Sequence, residues 1–278
     1  MKKAGILALF GLVVFALPLA AQDEGGTKPL NAMGFNGTTG LYVVPTARVG
    51  FSDAAFGFNG GYHTNIFKPT GGGAELNHLI KANFSLLRTV ELFAALDFQP
   101  DTVRGKDPHD FLTGLKIQIP LAVPIALGGN FQWRDMGRSN VDHWAFQVYL
   151  AVTYGAKFFS WPASTTLMVG HTFVENHNEG NVDFGMGFDL VLLPKYLGDF
   201  LHLVIDFANF SYSADPWGAD AWTRGVLNAG IRVDLSQIPA LGKFTFAIDF
   251  LVADAFDDKN YTGQGRSIGM GGTFGIRL

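Results

Sequence analysis

The chain contains no cysteine, which excludes a disulfide framework and a lipid anchor built on an N-terminal cysteine. Charge is scarce as well: Asp, Glu, Lys and Arg make up 16% of the residues, against about 25% in a typical soluble domain. The basic residues are also outnumbered by the acidic ones, which argues against a nucleic-acid partner. Long apolar runs are missing beyond the first two dozen residues, and none approaches the roughly 18 consecutive apolar residues of a membrane-crossing helix. The body of the chain is therefore too apolar for an ordinary secreted domain and yet has no helical span.

The N-terminus carries Lys2 and Lys3, an apolar run over 4–19, and then Ala20-Ala21-Gln22-Asp23. These are the three parts of a secretory signal peptide, with cleavage expected after Ala21. An anchoring helix is the competing reading, and Pro18 with the small residues that follow favours cleavage. Removing 1–21 takes two lysines and no acid, leaving 18 basic against 24 acidic residues, a net charge of −6. The remaining 257 of 278 residues suffice for one large barrel or two small soluble domains. The abundance of Gly (35) and Phe (26) favours the barrel, since glycine leaves room on an inner wall and phenylalanine suits a lipid face.

From Asp53 onward the hydrophobicity alternates with a period of two, the mark of strands with two unlike faces. The last twelve residues show it plainly: Ile268, Met270, Phe274, Ile276 and Leu278 share one face, and Ser267, Thr273 and Arg277 the other. Counting such segments predicts twelve strands, at 54–62, 76–86, 89–98, 111–119, 125–133, 143–153, 166–173, 182–192, 201–208, 227–235, 244–252 and 267–278. Their connections alternate between short (87–88, 120–124, 158–163, 194–199, 236–242) and long and polar (63–75, 99–110, 135–142, 174–181, 213–223, 254–266). Short periplasmic turns, long outer loops and an even strand number belong to bacterial barrels, and they return both termini to the periplasm. The predicted fold is thus all-β: a membrane-spanning, antiparallel, up-and-down β-barrel of about twelve strands over 53–278. A soluble sandwich or lipocalin-like barrel would show the same periodicity with the faces exchanged. Twelve long apolar faces, with Tyr62, Trp133, Trp144, Trp161 and Tyr196 near strand ends, favour the lipid-facing assignment.

Residues 22–52 are read as a periplasmic lead-in and N-terminal segment. Within them lies the string Gly37-Thr38-Thr39-Gly40-Leu41-Tyr42-Val43-Val44-Pro45-Thr46-Ala47-Arg48. Gly37, Thr39, Gly40, Pro45 and Arg48 are its signature positions. The string resembles the first-strand motif of YjbH-like outer-membrane β-barrel proteins, and the resemblance covers about a dozen residues. It implies an outer-membrane location and an association with exopolysaccharide secretion. Read from the residues alone, 38–45 is either a partial plug inside the lumen or an extra strand ended by Pro45.

No constellation of catalytic residues emerges, and the chain is not expected to be an enzyme. His78 and His171 fall on the lipid face without a neighbouring Ser nucleophile. The pairings of His109 with Asp107 and Asp110, of Asp142 with His143, and of Glu175 with His177 are ordinary for solvated loops. Asp254, Asp257 and Asp258 lack calcium-loop spacing, and Gly71-Gly72-Gly73 has no Lys-Ser/Thr after it, so neither a metal nor a cofactor is implied.

The inward face is the better signal. It holds Lys81, Lys116, Arg134, Arg232 and Arg277 with Glu91, Asp97, Asp183, Asp189, Asp206, Asp234 and Asp249 as pore-lining candidates. A barrel of twelve strands falls between the side-chain-filled and the water-filled sizes. The expectation is a narrow, mildly cation-favouring, porin-like bore for small or extended polar solutes, widened by inner Gly and Ala. The alternative is a non-conducting structural or surface-interaction barrel acting through its outer loops, with Trp217, Trp222 and Tyr261 as exposed loop aromatics. Expected partners are outer-membrane lipid, the barrel-assembly machinery during biogenesis and a polar solute.

Overall fold

A computed structural model describes residues 30–67, 73–98, 109–136, 144–175, 182–210, 225–256 and 266–278. The proposed signal peptide and most of the long loops, with Trp217, Trp222 and Tyr261, lie outside the described residues. Twelve strands follow one another: β1 (Phe56–Phe67), β2 (Glu75–Leu86), β3 (Val90–Phe98), β4 (His109–Ile119), β5 (Ile125–Met136), β6 (Trp144–Phe158), β7 (Trp161–Val174), β8 (Val182–Val191), β9 (Leu201–Ala208), β10 (Val226–Asp234), β11 (Phe244–Ala253) and β12 (Ser267–Arg277). Each pairs antiparallel with its sequence neighbours, and β12 returns to β1 to close the sheet. The closing register sets Phe58 opposite Ile276 and Ile66 opposite Ile268. It is extended at the rim by the Leu278 amide donating to the Phe56 carbonyl (3.0 Å) and by an Arg277–Asp53 ion pair (3.2 Å).

The faces are sorted as the alternation predicts. Ile80 (53% exposed) and Ile268 (68%) point outward, while Lys116, Arg232 and Asp249 point inward at 0%. A water-soluble barrel with this surface would present apolar area far beyond what a soluble monomer tolerates. Only hydrocarbon outside and hydrogen-bonding partners inside satisfy both faces, so the sheet is a membrane-spanning barrel.

Strand boundaries depart from the alternation in two places. β1 runs on to Phe67, five residues beyond the predicted end. His63 and Asn65 suggested a loop because they are polar, but both are buried in the lumen, where polar residues continue a strand. The predicted 158–163 connection contracts to Phe159-Ser160, a two-residue turn with both residues at positive φ (48° and 76°), and β6 pairs with β7 down to Phe158 opposite Trp161. The β8–β9 connection contains a single helical turn, α1 (Pro194–Leu197), and the β10–β11 connection two 3₁₀ turns (Leu235–Gln237 and Pro239–Leu241).

The closing strand exposes Phe274 to lipid, its ring 5.5 Å from that of Phe244. Phe274→Asp places a carboxylate on that lipid-facing side, where charge is destabilising, and removes the aromatic ring. The expected outcome is a chain that fails to insert, read as loss of the heat-shifted electrophoretic form of a folded barrel. Normal insertion of this variant would contradict the lipid-facing assignment.

Candidate functional site in the lumen

The lumen is not an open bore. Residues 31–51 pass through it as an irregular segment held by two isolated β-bridges, Met33 with Thr39 and Gly40 with Pro45. The 37–48 string thus forms no strand, although the resemblance implies a first strand. Its backbone turns too tightly for a ladder: the Gly34 amide bonds the Thr38 carbonyl (2.8 Å), the Phe35 amide that of Tyr42 (2.7 Å), and the Leu41 amide that of Val44 (3.0 Å).

A segment this irregular must find partners for its own N–H and C=O groups, and the barrel wall supplies them. Glu91 on β3 takes the largest share. Its Oε1 accepts from Thr38 Oγ1 (2.7 Å) and the Thr39 amide (2.8 Å), and its Oε2 from Thr39 Oγ1 (2.6 Å) and the Gly50 amide (3.0 Å). Lys116 on β4 neutralises that carboxylate at 3.1 Å and donates to the Thr39 carbonyl at 2.8 Å.

On the opposite wall, Asp206 of β9 accepts three successive backbone amides, those of Tyr42 (2.8 Å), Val43 (2.6 Å) and Val44 (3.0 Å). Consecutive amides aimed at one point form a concave cradle for an anion, and here the anion belongs to the wall. Asn228 holds the other Asp206 oxygen at 2.8 Å.

Arg232 forms the third anchor. It is paired with Asp249 (Nε to Oδ1 2.6 Å), donates to the Gly40 carbonyl (3.2 Å) and lies 5.5 Å from the centre of the Tyr42 ring. His63 Nε2 stands 3.2 Å from the same Asp249. A guanidinium over the face of a tyrosine ring is a favourable cation–π contact. Lys81 donates to the Met33 carbonyl (2.9 Å), Asn83 to that of Gly37 (3.1 Å), and Asn31 to Asn59 (2.9 Å) and Thr245 (3.0 Å).

The pore-lining candidates therefore divide by role. Lys81, Glu91, Lys116, Asp206, Arg232 and Asp249 converge on the segment. Asp97 and Asp183 bond to wall neighbours instead, Asp97 to Asn77 (2.6 Å), Asp183 to Gln147 (2.7 Å) and Thr172 (2.5 Å). Asp189 pairs with His202 (2.7 Å), and Asp234 caps the 3₁₀ turn through the Ser236 amide (2.8 Å). Arg277 sits half-exposed at the rim, and Arg134 lies on β5.

The signature residues of the string are distributed along the same path. Gly37 adopts a positive φ of 89°, Thr39 and Gly40 bond Glu91 and Arg232, Pro45 closes a bridge, and Arg48 is half-buried.

The inner glycines do not widen a channel, as their small size suggested. A Cβ on Gly187 would stand 1.8 Å from Leu41, one on Gly57 2.0 Å from Phe51, and one on Gly61 2.6 Å from Met33. These three are sockets for the segment's apolar side chains, whereas Gly128, Gly269 and Gly271 make room for the wall side chains of Tyr149, Asn65 and His63.

Periodicity set Gln118 and Thr153 on the inward face, but it had no means of showing that they accept the amides of Val49 (3.0 Å) and Ala47 (2.8 Å), or of finding Phe51. The one available signal was the apolar run 41–44, too short and too tightly turned to be a barrel strand.

Among the described residues no group of three or more His, Asp or Glu is arranged to hold a metal. On the lipid face, His78 accepts or donates to the Tyr62 hydroxyl at 2.5 Å.

No protein-family model matches the chain, and no curated protein matches it. Among solved structures, the translocator domain of the autotransporter NalP from Neisseria meningitidis is similar at 10% identity and a TM-score of 0.38, over 81% of this chain and 88% of that one. LpxR from Salmonella typhimurium is similar at 9% and 0.41, over 80% and 100%. The Pseudomonas putida toluene transporter TodX is similar at 9% and 0.34, over 92% and 99%. Likenesses this distant decide nothing about what the chain does.

Glu91→Gln tests the main anchor. It keeps the length of the side chain, turns an acceptor-only group into a part-donor and leaves Lys116 buried without its carboxylate, a loss of about 3–5 kcal/mol. Amide hydrogen exchange at Thr39 and Gly50 is expected to accelerate by roughly two orders of magnitude or more. Adding Lys116→Met should recover part of the protection. Unchanged exchange in the single variant would show that this carboxylate does not hold the segment.

Proposed function

We propose that this chain is a non-enzymatic outer-membrane β-barrel, exported by its N-terminal signal, that passes small or extended polar solutes through a lumen kept shut at rest by its own residues 31–51. One observation carries the reading. The segment is held largely by charged and amide side chains of the wall, the kind of lining that water and a polar solute can take over once the segment yields. A plug meant only to complete a permanent core would be better served by apolar walls, because buried charge pairs contribute little net stability. The YjbH-like string fits an extended polar cargo.

A second reading is a barrel that stays closed and acts through its outer loops. The packing of Leu41, Tyr42, Val43 and Val44 against Met168, Val204, Phe210 and other buried apolar residues favours it, since that cluster resists opening.

The absence of cysteine permits a clean test. A Cβ built on Gly185 stands 2.9 Å from Cγ2 of Val44, so Val44→Cys with Gly185→Cys is placed to bridge segment and wall. In planar bilayers the full chain is expected to give infrequent unitary current steps under applied voltage. The oxidised double variant should give none, and reduction should restore them. Steps that survive oxidation would place the current outside the lumen, and silence from every form would favour the closed barrel.

A further inference from the structure

The short-turn end of the barrel is unusual in what it shows to its surroundings. Two-residue hairpin turns at positive φ favour Asn and Gly, which adopt that backbone at little cost. Here the two-residue β6–β7 turn is Phe159-Ser160, and the three-residue β2–β3 turn Leu87-Arg88-Thr89 holds Leu87 and Arg88 at φ 52° and 65°. Leu87 is 68% exposed, Phe159 87%, and Tyr196 on α1 78%. Leu87 and Phe159 hold this costly backbone while showing apolar side chains to the surroundings.

The β6–β7 turn also projects. Along β6 burial ends at Gly155, and Ala156 to Ser160 are all exposed, so the hairpin tip stands clear of the wall; the ladder runs on to Phe158 opposite Trp161, which keeps these two rings on the lipid side and Lys157 on the other. The Phe158 ring lies 4.5 Å from that of Phe159 and 5.8 Å from that of Phe188 on β8, and β7 pairs with β8 up to Ala163 opposite Leu190, which puts α1 at the same end of the barrel as the hairpin. Lys157 and Lys195 are both exposed there, and the Lys195 ammonium lies 5.8 Å from the centre of the Tyr196 ring. Across the other short turns the exposed charges are Arg88 and Lys243, again basic, in a chain that is acidic overall.

Apolar tips with basic side chains among them match the interface of an anionic bilayer, where the rings enter the acyl boundary and the ammonium groups meet phosphate. We infer that the projecting β6–β7 hairpin and α1 form a binding site for anionic phospholipid headgroups at the periplasmic face of the membrane, with Lys195 on the phosphate and Phe158, Phe159, Trp161 and Tyr196 in the acyl boundary. The inference rests on the outer-membrane reading above, which sets this end in the periplasmic leaflet.

The test measures lipid retention. Purified full chain in detergent is titrated with phosphatidylglycerol or phosphatidylcholine, and native mass spectrometry counts the lipid that stays bound. The wild type is expected to retain phosphatidylglycerol preferentially. A lysine near an anionic surface is worth about fivefold, so Lys195→Gln should lower that retention by roughly fivefold. Phe159→Ser should lower retention of both lipids. The heat-shifted electrophoretic form, unchanged in the variants, shows that the barrel is intact.

Equal retention of the two lipids by the wild type, or undiminished phosphatidylglycerol retention in the lysine variant, would overturn the assignment. So would binding of poly-glutamate in place of lipid, which would mark an acidic protein partner. Failure of the wild type to insert into vesicles at all would instead refute the outer-membrane reading itself.

Discussion

The fold depends on one electrostatic constraint. Its wall turns carboxylates, ammonium groups and a guanidinium inward, and none of them can reach bulk water through the lipid side. A buried ion left without partners costs several kcal/mol, so the lumen must hold enough donors and acceptors to satisfy them. Residues 31–51 supply many of these from their own backbone. Glu91 and Asp206 each take amides of the segment, and Lys81, Lys116 and Arg232 each take one of its carbonyls. Segment and wall therefore complete one another: the wall charges satisfy the irregular chain, and in the closed lumen that chain satisfies the charges that face it.

Size adds a second constraint. Side chains fill a barrel of eight strands, whereas twelve enclose more volume than their own inward residues occupy. The glycines at 57, 61 and 187 leave hollows in the wall, and Phe51, Met33 and Leu41 occupy them. Apolar packing and hydrogen bonding thus act on the same stretch. The stretch is closely fitted, and its polar anchors are what would remain as a water-compatible lining on its removal.

The two ends of the barrel meet different surroundings. At the closing seam, Asp53 and Arg277 join the entry into β1 to the end of β12. At the same end, tight turns with exposed leucine and aromatic residues replace the polar turns that water would favour.

Much of the fold was legible in the residues. Ser267 to Arg277 declared both faces of a strand, and the same period fixed twelve strands, their order and the inward set of charges, because a side chain on a strand has only two directions. The location of 38–45 was left open between plug and extra strand, since a short apolar run ended by Pro45 fits either. The pairing of Glu91 with Thr39, or of Asp206 with Tyr42, joins residues far apart in the chain and leaves no periodic trace. The inner glycines showed the same gap: their spacing said that room was left, and not what takes it. What the sequence by itself determined was the alternation, hence a closed sheet with apolar outside and charge inside. Only the tertiary structure decided that this interior is occupied, because closing the sheet is what brings β3, β4, β9 and β10 around a single segment and lets their charges meet its backbone.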